Sequence, residues 1–187
     1  MEKKLIGKKA VLVDLDGTLL DTEKLDDKVL YSTLEQYNIK KFKFNKGTLD
    51  NCLRRVENES IRQKIRKDFL KQYKKALKNS KIKINYSILR IIKKRRLKAA
   101  LVTSNLKEIT NLLLKKYKLE QYFGIVITCE DVKNPKPSPK PYLLAIKKLK
   151  IPNHEALIFE DSDEGVKSAK AGKIDFIKVD FERRKIK

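Results

Sequence analysis

The sequence predicts an α/β fold: a parallel sheet of about five strands flanked by helices, with a helical segment inserted after the first strand. Three observations carry this. Short apolar runs recur at Val11–Val13, Ala99–Thr103, Ile125–Thr128, Ala156–Phe159 and Phe176–Val179. Helical patterns alternate with the later runs, as the crossovers of a parallel sheet require. The gap between the first and second runs is far longer than one crossover helix needs, so something further is inserted there.

Taken in order, the first run stops at two alternating carboxylates, Asp14 and Asp16, followed by Gly17. Residues two apart on a strand face the same side, so the two acids are neighbours if the strand continues through them. Close carboxylates either share a proton or hold a cation, and Gly17 lets the chain turn away. In the inserted stretch, Leu25, Val29 and Leu34 form one helical face. Ile61, Ile65, Phe69, Tyr73 and Leu77 form another, with a period near four. The expected division is therefore a core of residues 1–20 and 86–187, and a helical cap of residues 21–85 joined by two linkers.

After the second run, Leu106, Ile109, Leu112 and Leu113 recur at helical spacing, with Ser104 or Asn105 where a cap belongs. The loop Asn134–Pro139 opens a helix bearing Tyr142, Leu143, Ile146 and Leu149. After the fourth run, Ser162 is placed to cap a short helix through Val166 and Ala169, which Gly172 ends.

At 187 residues and 41% hydrophobic content the chain can bury a proper core. Its formal net charge is +22, which brings an anionic substrate or partner into consideration. The excess is uneven: Lys40 to Lys98 holds 22 basic against 4 acidic residues. A lysine-rich background with solvated helix faces accounts for this plainly, whereas Arg54, Arg55, Arg62, Arg66, Arg95 and Arg96 also suit a surface that attracts a polyanion. Cys52 and Cys129 read as small apolar fillers, and the single His154 as an exposed loop residue, which leaves no zinc set and no Cys-His pair. No signal peptide or membrane-spanning run is evident, so a cytoplasmic protein, monomeric because of its lysine-heavy surface, is expected.

Ligands gather at the carboxyl ends of strands in an open parallel sheet, and four features of this sequence fall there. They are Asp14 and Asp16 after the first strand, Thr103-Ser104-Asn105 after the second, Lys136 beyond the third and Glu160-Asp161-Ser162 after the fourth. In that combination the chain resembles the haloacid dehalogenase superfamily of phosphohydrolases. The opening signature is matched by Asp14-Leu15-Asp16-Gly17-Thr18-Leu19, the second motif by Val102-Thr103-Ser104-Asn105, and the third by Lys136-Pro137. The last is matched by Phe159-Glu160-Asp161-Ser162 followed by Gly165, Ala169 and Gly172. The inserted segment looks like the small helical cap of β-phosphoglucomutase-like and phosphoglycolate-phosphatase-like members.

The resemblance implies a Rossmann-like core and a magnesium-dependent phosphatase that acts on a small phosphorylated substrate. It implies Asp14 as the nucleophile that forms an aspartyl-phosphate, and Asp16 as general acid and base. Thr18, Ser104, Asn105 and Lys136 would hold the phosphate. Asp14 and Asp161, the Asp16 backbone carbonyl and Glu160, directly or through water, would hold Mg2+. A second acid at Asp16 favours phosphoryl transfer over halide displacement, whose leaving group needs no proton.

The match departs from the pattern in places. Asp26 stands where related mutases and phosphatases carry a histidine that helps the cap close, which counts against a sugar phosphomutase, the first alternative. Lys46-Gly47 is a candidate cap loop facing the substrate. The usual glycine before the second strand is replaced by the run Lys93-Lys94-Arg95-Arg96. The second alternative is a nucleic-acid end phosphatase or a nucleic-acid-binding protein using the basic cap.

Overall fold

The computed structural model describes residues 2–39, 49, 53, 56–181 and 185–186. The apolar runs form strands β1 (Ala10–Val13), β2 (Lys98–Val102), β3 (Ile125–Ile127), β4 (Ala156–Glu160) and β5 (Asp175–Asp180), and a two-residue β6 (Lys185–Ile186) follows. They make one sheet of order β3-β2-β1-β4-β5-β6. The five predicted strands are parallel; β6 is antiparallel to β5. The described helices are α1 (Glu23–Glu35), α2 (Glu59–Asn79), α3 (Tyr86–Arg95), α4 (Lys107–Lys116), α5 (Lys140–Leu149) and α6 (Asp163–Ala171). The α/β, Rossmann-like architecture expected from the sequence is therefore present.

The chain separates into two compact units, Met1–Asp21 with Lys83–Lys187, and Thr22–Ile82. In the first, β1 and β4 are buried along their whole length, which is why they read as unbroken apolar runs rather than alternating ones. Tyr142, Ala145, Ile146 and Leu149 of α5 pack with Leu12, Ala100, Val102, Ile127 and Ile158 of the strands. Each large apolar side chain buried in this way contributes about 1.5–3 kcal/mol.

In the second unit α1 buries Val29, Leu30, Thr33 and Leu34, while α2 buries Ile65, Phe69, Tyr73 and Leu77. Ile61, assigned to the same face from its spacing, lies in the first turn of α2 and is 42% exposed. Two phenols tie the helices together. Tyr73 donates to Asp26 at 2.7 Å and Tyr37 to Asp68 at 2.6 Å. The second bond raises the Tyr37 hydroxyl to about 12, through desolvation and the adjacent Asp68 carboxylate. Asp26, which stands at the position of the resemblance's histidine, is thus a partner of α2. The Lys46-Gly47 loop, Cys52, Arg54 and Arg55 lie outside the described residues.

Two local expectations meet different outcomes. Ser162 caps α6 by accepting the Gly165 N–H at 3.0 Å, and Gly172 closes that helix. By contrast, α4 starts at Lys107 with Leu106 at the cap position, not Ser104 or Asn105; the Asn105 Oδ1 accepts the Leu106 N–H at 2.8 Å and its Nδ2 donates to Asp16. Where a glycine is missing before β2, Arg96 ends α3 in the left-handed region at φ 51°. A side chain costs about 1 kcal/mol there, so Arg96→Gly is expected to stabilise the protein by about that amount. A rise in melting temperature tests this; an unchanged or lower value would show that the arginine side chain offsets its own strain.

Candidate active site

The strand order changes direction at β1. Its neighbour β2 leads outward to β3 and its other neighbour β4 leads outward to β5, so the crevice beyond the carboxyl ends of β1 and β4 is where such a sheet takes ligands. Asp14 opens that crevice. Its N–H donates to the Phe159 carbonyl at 3.0 Å, extending the β1–β4 ladder by one residue and fixing the direction of its side chain. Gly17, at φ 77°, then turns the chain back, and its N–H reaches the Leu20 carbonyl at 2.8 Å.

Lys136, from the loop before α5, enters the same crevice with its side chain 3% exposed. Its ammonium donates to Asp14 Oδ1 at 2.7 Å, to Glu160 Oε1 at 2.8 Å and to the Val102 carbonyl at 3.1 Å. Asp161, the residue after β4, accepts a 2.8 Å hydrogen bond from Thr18. Carboxylate oxygens of Asp14, Glu160 and Asp161 lie within 4.8 Å of one another. The Asp16 carboxylate is directed elsewhere. It accepts from Thr103 Oγ1 at 3.1 Å and from Asn105 Nδ2 at 3.2 Å, while the Asn105 N–H donates to Thr103 Oγ1 at 3.0 Å. Ser104 is half-buried between these two.

All eight residues singled out from the sequence, Asp14, Asp16, Thr18, Ser104, Asn105, Lys136, Glu160 and Asp161, therefore lie at one rim of the sheet. Three further residues organise them. Thr103 fixes Asp16. Ser162 holds Glu160 through its N–H at 2.7 Å and its hydroxyl at 3.0 Å. Tyr142 is fully buried, and its hydroxyl donates to Glu160 Oε1 at 3.3 Å beneath the Lys136 ammonium, 5.0 Å from the ring centroid. Thr103 and Ser162 sit inside the motifs. Tyr142 carried only the signal of a buried helix face.

Lys136 pairs with two of these carboxylates, Asp14 and Glu160, and burial together with the surplus negative charge sets the protonation. Burial raises the Asp14 carboxyl well above the usual range; Lys136 opposes this, and Glu160, Asp161 and Asp16 add to it. Burial alone would lower Lys136, but Asp14, Tyr142 and Glu160 outweigh it and hold the ammonium well above its ordinary value. Burial likewise raises the Tyr142 hydroxyl, which stays a neutral donor. Three clustered carboxylates with a charge surplus form an all-oxygen donor set suited to a hard divalent cation. The residues fit Mg2+.

The haloacid dehalogenase-like hydrolase profile matches residues 11–179. A phosphorylated carbohydrates phosphatase of Thermotoga maritima is 30% identical over 186 residues, covering 90% of this chain and 83% of its own. Pyrophosphatase PpaX of Bacillus velezensis is 30% identical over 177 residues, covering 86% and 78%. The crystal structure of CbbY from Rhodobacter sphaeroides in complex with phosphate shares the fold at a TM-score of 0.78 and 20% identity, covering 91% of this chain and 85% of that one. No described helix is long and apolar enough to cross a membrane. With the profile spanning β1 to β5 and the motif residues meeting at one sheet rim, the chain belongs to the haloacid dehalogenase-like hydrolases.

Proposed function

We propose that this hydrolase is a magnesium-dependent phosphatase that cleaves small phosphate monoesters through an aspartyl-phosphate on Asp14, in the cytoplasm and as a monomer. The observation that carries the proposal is the division of labour between the two acids after β1. Asp14 is held against Lys136 at 2.7 Å in the carboxylate cluster, while Asp16 is held apart from that cluster by Thr103 and Asn105. This separation supports attack by one acid and proton handling by the other.

In this reading an Asp14 oxygen attacks phosphorus and the bond from phosphorus to the leaving oxygen breaks, with Asp16 giving its proton to the departing alkoxide. A water then attacks the same phosphorus, Asp16 takes its proton, and phosphate leaves as the Asp14 carboxylate is regenerated. Lys136 screens the repulsion between Asp14 and the incoming dianion, with Ser104 and Asn105 at the same rim to bind phosphoryl oxygens. Asp14, Asp161, the Asp16 carbonyl and Glu160, directly or through water, would hold Mg2+, which would supply charge neutralisation of the phosphoryl group. Residues 1–20 and 86–187 form the catalytic core, and the helical segment inserted after the Asp16 turn serves as the cap that selects substrates.

A phosphatase is favoured over a mutase because Asp26 replaces the histidine of the resemblance and is occupied by Tyr73. Sugar phosphates head the substrate panel on the strength of the Thermotoga maritima relative's name, and pyrophosphate joins it on that of the PpaX relatives. The test is phosphate release from this panel, phosphoglycolate and nucleotides, with magnesium or with EDTA. Expected are release in magnesium only, no isomerised sugar product, and a loss of about a thousandfold or more in Asp14→Asn. Release that survives Asp14→Asn would remove the covalent route, and conversion of a hexose phosphate to its isomer would favour the mutase.

A further inference from the structure

A groove of about 670 Å³ lies on the catalytic unit away from the carboxylates, between α3, the N-terminal 3-10 turn Glu2–Leu5 and the turn Glu120–Tyr122. These three segments lead into the amino ends of β2, β1 and β3, so the groove's basic end sits at the sheet edge opposite Asp14 and Glu160. Its floor is apolar, formed in part by Leu5, Leu89 and Ile91. Its wall is cationic: Arg90, Lys93, Lys94 and Arg95 are all exposed and follow the last two turns of α3.

Some other cations of this unit stand in ion pairs. Lys8 pairs with Asp175, Lys9 with Glu155 and Lys178 with Asp163. Among the described residues, none of the four in the groove makes an ion pair, and Glu2 is the one acid of the lining. Two aromatic rings accompany them. Tyr86 is 60% exposed, and Tyr122 faces the Lys93 ammonium 5.6 Å from its ring centroid. A row of unpaired cations beside the exposed Tyr86 ring and the half-buried Tyr122 ring complements a chain of phosphates with bases that can stack. An acidic peptide would satisfy the charges and leave the rings without a specific partner.

We propose that this groove binds single-stranded nucleic acid, with backbone phosphates on Arg90, Lys93, Lys94 and Arg95 and bases stacked on Tyr86 and Tyr122. None of the catalytic-rim residues lines the groove and its cations lie at the opposite sheet edge, so the bound strand is a tether or effector rather than the substrate. It does not depend on the phosphatase reading.

The test is anisotropy of a fluorescein-labelled twenty-nucleotide oligothymidylate against the full chain, at low and at physiological salt. Three variants are compared: Lys93→Glu/Arg95→Glu, Tyr86→Ala, and Lys147→Glu/Lys167→Glu, which makes the same charge change at exposed positions elsewhere. Expected are binding at low salt, a loss of about tenfold or more in the first variant with a salt slope reduced by roughly 1.4, and a loss of about fivefold in Tyr86→Ala at unchanged slope. The third variant should bind within about twofold of the parent, and phosphate release should be the same in all of them. No binding at low salt, equal loss in both charge-reversal variants, or binding of a polyglutamate peptide in preference to the oligonucleotide would each overturn the proposal.

Discussion

Lys136→Met is expected to lower both stability and turnover, with the largest combined effect of any single substitution in this chain. Methionine keeps the length and volume of the side chain and removes the charge. Left behind are Asp14, Glu160, whose side chain is 1% exposed, and a Val102 carbonyl that has lost its donor. Removing one member of a buried, hydrogen-bonded ion pair costs about 3–5 kcal/mol, mainly because the surviving charge stays buried without a partner. Against a total stability on the order of 5–15 kcal/mol this is a large fraction, and at roughly 2–4 °C per kcal/mol it lowers the melting temperature by about 10 °C. Turnover should fall by about a hundredfold or more, since Lys136 is the side-chain cation that screens Asp14 from a phosphate dianion. A second measurement isolates the cause. Asp14→Asn added to Lys136→Met removes the stranded charge and should return part of the lost stability, a coupling that simple loss of packing does not produce. A melting temperature within about 2 °C of the parent for Lys136→Met would show that the crevice is wetter than its burial indicates.

The fold was legible where one physical signal dominated. Strands buried on both faces leave unbroken apolar runs, and β1 and β4 could be read from Val11–Val13 and Ala156–Phe159 for that reason. The pair Lys185–Ile186 carries no comparable pattern, and β6 exists because the edge of β5 offers unpaired backbone groups to a following segment. Helix α2 announced itself by period, yet Ile61, in its first turn, is 42% exposed. The spacing of apolar residues reports which side of a helix can be buried. It does not report how far the neighbouring element reaches.

The candidate site was legible because its chemistry demands charged residues at strand ends, where an apolar run gives a conspicuous boundary. Asp14, Glu160 and Asp161 stand out in that way, whereas Lys136, in the loop beyond β3, stood out only through the Lys136-Pro137 motif. What escaped notice were groups whose role depends on a second surface. Tyr142 reads as one more apolar position of α5, and only the packing of α5 on β2 and β3 carries its hydroxyl to Glu160. Asn105 read as a helix cap and, through the resemblance, as a residue that holds phosphate. Its amide instead goes to Asp16, eighty-nine positions away in sequence, and the cap falls to Leu106.

Gly165→Ala separates these levels of reasoning, because helix propensity and tertiary geometry predict opposite signs. Residue 165 lies in the first turn of α6, where replacing glycine by alanine ordinarily gains up to about 1 kcal/mol. Here a Cβ would fall onto the Glu160 carboxylate. That carboxylate has no freedom to retreat: Ser162 holds one oxygen through two hydrogen bonds, and Lys136 and Tyr142 hold the other. Overpacking a rigid site costs about 1–3 kcal/mol, and breaking charge-assisted bonds about 1.5–3 kcal/mol more, so the clash outweighs the propensity gain. The expected result is a net loss of about 2–4 kcal/mol by denaturant unfolding, with turnover reduced more than tenfold as Glu160 and, through Lys136, Asp14 shift. Gly124→Ala is the control, since a Cβ there meets nothing within 4 Å and the change should be neutral or slightly stabilising. If Gly165→Ala were as harmless as Gly124→Ala, Glu160 would have to be mobile, and a carboxylate free to move could not keep the Lys136 ammonium in place between β1 and β4.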